Sequence, residues 1–176
     1  MQDLVRRLVN ICMNKKTSES KTIYTYGIMP KDINSGGTLY GPVLFDIADH
    51  NSGTTILRHL RSRIATVSCD SLQFIKPTYK GDFLTAVTIV SGVGNTSVET
   101  FTKFYREVSM TGEKEIVATC FLTFKAKEVQ PGSIPGIIPE NDEEKIIIDG
   151  FENRRKINKL RRTENERIQK YLNCNY

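Results

Sequence analysis

Asp49 stands eight residues after Gly41, where a glycine-rich loop (Asn34-Ser35-Gly36-Gly37) runs into a stretch of helical periodicity entered at Pro42. On a helical wheel Asp49 shares an arc with Phe45, Ala48, Ser52, Ile56 and Leu60, while Asp46, His50, Thr54, Arg58 and Arg61 share the opposite one. Asp46 is therefore expected in solvent and Asp49 in the interior. An ionised carboxylate in apolar surroundings is costly unless hydrogen-bonded or paired, so Asp49 serves either a structural polar network or chemistry. The chemistry open to it is activation of a water or direct attack on an electrophile. The helix start supplies unpaired N–H groups, and glycine there allows close approach of a ligand to the backbone. Eight helical residues rise about 12 Å, too far for one carbonyl to lie within about 3 Å of both positions. A site that uses both must combine two antiparallel copies of the helix.

Other chemistries find less support. His50 and Asp46, four apart on the polar face, read as a surface pair, and without a Gly-x-Ser-x-Gly elbow a serine triad is not expected. The four cysteines (Cys12, Cys69, Cys120, Cys174) lack C-x-x-C spacing and only two histidines are present, so no metal site is expected and the thiols read as reduced. Arg6 and Arg7 interrupt the apolar amino terminus, no small-residue cleavage site follows, and no run approaches membrane-spanning length. A cytoplasmic location is expected. Net charge is +5, and from Phe151 to Tyr171 eight basic residues face three acidic ones. This basic tail reads as a solvated helix; without interleaved aromatics or a nucleic-acid motif, nucleic acid is not an expected partner.

The elements that position these residues follow from periodicity and punctuation. Residues 2–13 have helical spacing and residues 14–21 read as a polar linker. Lys21 to Met29 reads as a strand, and the helix from Pro42 runs to about Arg61; Gly53 and several β-branched residues mean that burial, not propensity, must hold it. Four strand-like segments succeed it: Ile64 to Ile75, Asp82 to Val93, Ser97 to Val108 and Glu115 to Lys125. Gln130 to Pro139 is a proline-rich connector, and Glu140 to Leu172 is charged and helical. The expectation is an α+β chain with an antiparallel sheet around one central helix.

Several motifs resemble those of the hot-dog acyl-CoA thioesterases of the bacterial and brain-type acyl-CoA hydrolase branch. They are Met-Pro-x-Asp-x-Asn-x-x-Gly at Met29 to Gly37, Tyr40-Gly41, Asp49, Phe74-Ile75-Lys76-Pro77 with Gly81-Asp82, and Gly94-Asn95-Thr96-Ser97-Val98. The resemblance covers roughly residues 22–127, flanked by an N-terminal helix and linker (1–21) and by the connector and basic tail (128–176). It implies the hot-dog fold, an obligate dimer and a hexamer built from such dimers. It also implies hydrolysis of acyl-CoA to free acid and coenzyme A, with no cofactor beyond the coenzyme A carried by substrate and product. In that family Asp49 would be the catalytic carboxylate, the Gly41 N–H the donor to the thioester oxygen and Asn34 an assisting amide. Lys76, Asn95, Thr96 and Ser97 are candidate contacts for coenzyme A, although turn chemistry alone would also place them. A thioester suits so small an apparatus, because a thiol of pKa near 8.5 leaves as thiolate without strong protonation. The alternative is a non-catalytic hot-dog module that binds acyl-CoA or regulates.

Overall fold

The computed structural model describes residues 14–174, so the helix expected over residues 2–13 and Cys12 lie outside it. The chain opens with β1 (Lys15–Lys16), the one-turn helix α1 (Thr17–Ser20) and β2 (Thr22–Gly27). A 3-10 turn at Pro30–Asp32 and the glycine loop lead into the central helix α2 (Gly41–Leu60). Then come β3 (Ile64–Phe74), β4 (Phe83–Val93), β5 (Ser97–Glu107) and β6 (Lys114–Ala126), followed by β7 (Ile137–Ile138), α3 (Asp142–Asp149) and α4 (Phe151–Gln169). The four long strands lie within a residue or two of where alternation and turn residues put them.

The main sheet is antiparallel throughout, with strand order β2-β4-β5-β6-β3. Its inner face wraps α2, whose buried Leu44, Ile47, Ala48 and Ile56 meet Leu84, Ala86, Phe104 and Leu122. Polar groups sew the same seam: Asn51 Nδ2 donates to Thr88 Oγ1 at 2.9 Å, and Thr100 Oγ1 donates to Ser52 Oγ at 2.9 Å. Each pair satisfies groups that would be costly to bury alone. The helix stops at Arg61, which takes a left-handed φ of 54° and returns its N–H to Leu57.

Antiparallel sheets commonly leave one face wet, but β4 and β5 are buried on both. The tail covers the outer face. Glu99, next to the inward Thr100, points outward and receives Arg154 of α4 at 2.8 Å; Phe151 of α4 sits where a Cβ on Gly92 would lie 2.0 Å from its ring. The basic tail is thus docked through part of its length, and not simply a solvated helix.

The polar stretch 14–21, expected as a linker, is instead folded. β1 pairs in parallel with β7 of the proline-rich connector, and the buried Glu144 of α3 accepts from the Thr17 hydroxyl at 2.6 Å and pairs with Lys21 at 2.7 Å. Burial raises the pKa of Glu144, but Lys21, Thr17 and the Glu140 N–H outweigh it and hold the carboxyl at about 2. Among the described residues no helix is long and apolar enough to cross a membrane.

Candidate active site

Asp49 emerges from α2 beside the start of β3, where its Oδ1 accepts a hydrogen bond from Thr66 Oγ1 at 2.9 Å. It is half-buried and not enclosed as its wheel position implies, and Phe45, one turn earlier on the same arc, is 41% exposed. The reason is topological. β3 is an edge strand, so among the described residues the helix face beside it meets no further strand. Asp46, His50, Thr54, Arg58 and Arg61 are exposed as expected.

The glycine loop is held from both ends. The Asn34 carbonyl oxygen Oδ1 accepts from Gly36 N at 2.8 Å and Thr38 N at 3.3 Å, and its Nδ2 donates to Thr38 Oγ1 at 3.1 Å. The side chain therefore does the turn chemistry open to an asparagine there, and leaves one amide hydrogen for anything else. Asp32, buried at the loop entrance, accepts from Tyr26 OH and Met29 N, both at 2.8 Å, and its carbonyl receives Tyr40 N at 2.7 Å. That fixes the backbone just ahead of Gly41. Among the described residues no acceptor meets the Gly41 N–H, as befits the first turn of a helix. A Cβ on Gly41 would lie 3.2 Å from the Phe74 ring, so glycine is also what lets α2 begin against the end of β3.

Asp49 and Gly41 are eight residues apart on one straight helix, so a single chain does not bring them together. Nor does it bring Lys76 to Asn95, Thr96 and Ser97. Lys76 follows β3 beside Val117 and is ion-paired with Glu115, which its ammonium holds below the usual carboxylate range. Ser97 pairs with Lys125 at the other end of β6. Asn95, Thr96 and Ser97 line a cleft of about 340 Å³ together with Arg155, Lys159 and Arg162 of α4.

Two residues of this region had no role expected of them, although Asp32 lies inside the motif at Met29 to Gly37. Asp32 carries a usable signal, an acid two residues after the proline of a tight turn. Thr66 carries none, because only the strand pairing sets it opposite Asp49. Beside them, Cys69 and Cys120 place their sulfurs 4.0 Å apart, and burial pushes both thiols up in pKa. They are free thiols, as is Cys174.

An antiparallel sheet curled around one long central helix is the hot-dog architecture. The family model described as thioesterase superfamily matches residues 36–113. An uncharacterized acyl-CoA thioester hydrolase of Bacillus subtilis is 37% identical over 131 residues, 73% of this chain and 76% of that protein. The rat cytosolic acyl coenzyme A thioester hydrolase is 26% identical over 148 residues, but those are 81% of this chain and only 38% of that protein. Among solved structures, the acyl-CoA hydrolase of Staphylococcus aureus with butyryl coenzyme A, coenzyme A and coenzyme A disulfide superposes with TM-score 0.83 at 32% identity, covering 89% of this chain and 97% of that one. Variants of the same hydrolase with an aspartate, a threonine or an asparagine replaced by alanine superpose equally well, with TM-scores of 0.85, 0.84 and 0.84. The chain belongs to the thioesterase superfamily.

Proposed function

We propose that this protein hydrolyses acyl-CoA thioesters to the free acid and coenzyme A, with Asp49 as base or nucleophile and the Gly41 N–H of a second copy as oxyanion donor. The observation that carries this reading is the Thr66–Asp49 hydrogen bond beside an unpaired strand edge. The three positions substituted in the Staphylococcus aureus hydrolase are spaced 15 and 17 residues apart, and so are Asn34, Asp49 and Thr66.

A second copy completes the geometry. Among the described residues no strand pairs with the outer edge of β3, which carries exposed Val67 and Phe74 with Ile75 just beyond and meets Arg161 at the Asp70 carbonyl, a surface that natural sheets cover. Antiparallel pairing of two β3 strands about their middle residue, Cys69, sets Thr66 opposite Leu72 of the second copy, two residues from Phe74, against which Gly41 starts its helix. The acid of one copy then meets the helix start of the other. The same pairing returns Lys76 of the second copy to the end of the sheet that carries Asn95, Thr96 and Ser97, where all four contact coenzyme A. The relative described as hexameric fits further assembly of such dimers.

In the reaction Asp49 removes a proton from the attacking water, or itself attacks the acyl carbon to give an anhydride that water then opens to free acid and carboxylate, as the Gly41 N–H meets the charge growing on the carbonyl oxygen. Thr66 fixes the carboxylate, leaving Oδ2 for the reacting group. The thiol of coenzyme A leaves as thiolate, so the step calls for neither metal nor cofactor. Steady-state release of free thiol from a panel of acyl-CoAs tests the reading. Turnover by the native protein and its loss in Asp49→Asn, with binding retained, supports hydrolysis; binding without turnover in the native protein points to the regulatory module instead.

A further inference from the structure

The cleft between the β4–β5 turn and α4 is built for phosphate, and we infer that Lys159 and Arg162 of the tail hold the phosphorylated nucleotide end of coenzyme A. This rests on the hydrolase reading above and gives the basic tail a part in it. The stripe Arg155, Asn158/Lys159 and Arg162 follows helical spacing and faces Asn95, Thr96 and Ser97 across a space of about 340 Å³. Lys125 joins from the sheet, its ammonium 2.6 Å from Thr96 Oγ1.

The charges in and around the cleft do not cancel. Glu99 lies on its floor but is already bound by Arg154 at 2.8 Å, and Asp70 behind Thr123 is engaged by Ser68 and Thr123. Arg155 shares Glu152 at 3.3 Å on the exposed side. Among the described residues no carboxylate pairs with Lys159, Arg162 or Lys125. Three cations without a carboxylate partner, with hydroxyl and amide donors between them, suit a ligand with more than one phosphate.

The position suits the same ligand. Thr66, which holds Asp49, pairs with Phe124, and Phe124 pairs on its other side with Val98, next to Ser97. The turn therefore lies two strand spacings, about 10 Å, from the strand that carries Thr66. The pantetheine arm of coenzyme A has about as many backbone bonds as four extended residues, roughly 14 Å. It can leave the carboxylate on the helix side, cross the end of β5 and β6, and deliver its phosphates to the outer cleft.

The test compares the native protein with Lys159→Gln/Arg162→Gln and with Lys156→Gln, which removes a charge from an exposed position outside the cleft. KM for a short acyl-CoA should rise about tenfold or more in the double variant with kcat unchanged. KM for the corresponding acyl-pantetheine should not move, and added salt should raise KM for acyl-CoA more steeply in the native protein than in the double variant. Lys156→Gln should behave as native. An equal change for both substrates, or none for either, overturns the assignment. If the double variant keeps its KM for acyl-CoA but loses calorimetric binding of 3′,5′-ADP, the cleft serves a free nucleotide and the assignment to coenzyme A falls. Should the native protein release no thiol from any ester, the hydrolase reading fails by itself; weaker calorimetric binding of coenzyme A to the double variant still upholds the cleft, and equal binding removes it.

Discussion

Thr66 donates its hydroxyl to Asp49 Oδ1 across 2.9 Å, from near the start of the edge strand β3 to the middle of the central helix. The bond fixes which carboxylate oxygen remains available. Thr66→Val keeps the shape and removes the donor, so thiol-release kcat should fall about 10-fold to 100-fold with little change in melting temperature. Thr66→Ser should restore most of the rate. A Thr66→Val protein with native kcat would show that the bond only tethers a strand.

Arg154 and Glu99 form a buried pair that ties α4 to the sheet. Removing the arginine leaves an uncompensated carboxylate under the tail, so Arg154→Met should cost about 3–5 kcal/mol in denaturant unfolding. Burial already raises the Glu99 pKa, and loss of Arg154 raises it further. A carboxyl with a folded pKa above its unfolded value binds its proton more tightly when folded, so it destabilises the fold as pH rises through the unfolded value. The deficit of Arg154→Met should therefore shrink below about pH 4.5, and Glu99→Gln should relieve it at neutral pH.

Glu144 has the opposite sign. Its carboxyl is held at about 2, so the stabilisation it brings is complete above its ordinary value of 4.5 and disappears as pH falls through 2. Unfolding free energy should drop by about 2–3 kcal/mol over that window through this group. Glu144→Gln should show a lower plateau at neutral pH and a flatter acid limb, read by denaturant titration at pH 7 and pH 3.

Gly92 admits the Phe151 ring against the sheet. Gly92→Ala forces that ring away, so amide hydrogen exchange in α4 should quicken and stability should fall by about 1–3 kcal/mol. Unchanged protection in α4 would mean that Phe151 finds another seat.

Much of this architecture could be read from residue order. The alternation of Ile116, Ala118, Cys120, Leu122 and Phe124 marks β6, Pro42 marks the helix start, and the wheel separates Asp49 from Asp46. What escaped depended on partners distant in sequence. Thr17 and Lys21 look like linker residues until Glu144 is set beside them, because a polar stretch shows nothing of the carboxylate that satisfies it. Lys76 and Asn95 share a motif vocabulary but sit at opposite ends of β6, which strand register alone decides. Asp49 reads as interior because a wheel reports the face of a helix and not whether a strand covers it.

Lys15 Nζ reaches the His59 carbonyl at 2.7 Å, His59 Nε2 meets the Pro135 carbonyl at 2.9 Å, and Lys15 N returns to Gly136 O at 3.0 Å. These bonds, with those to Glu144, work as a clasp that shuts the two flanks of the chain onto each other over the far end of the helix. Cutting away either flank would leave donors or acceptors on the other without mates, so deletions of the two should not add: the second should cost much less than the first.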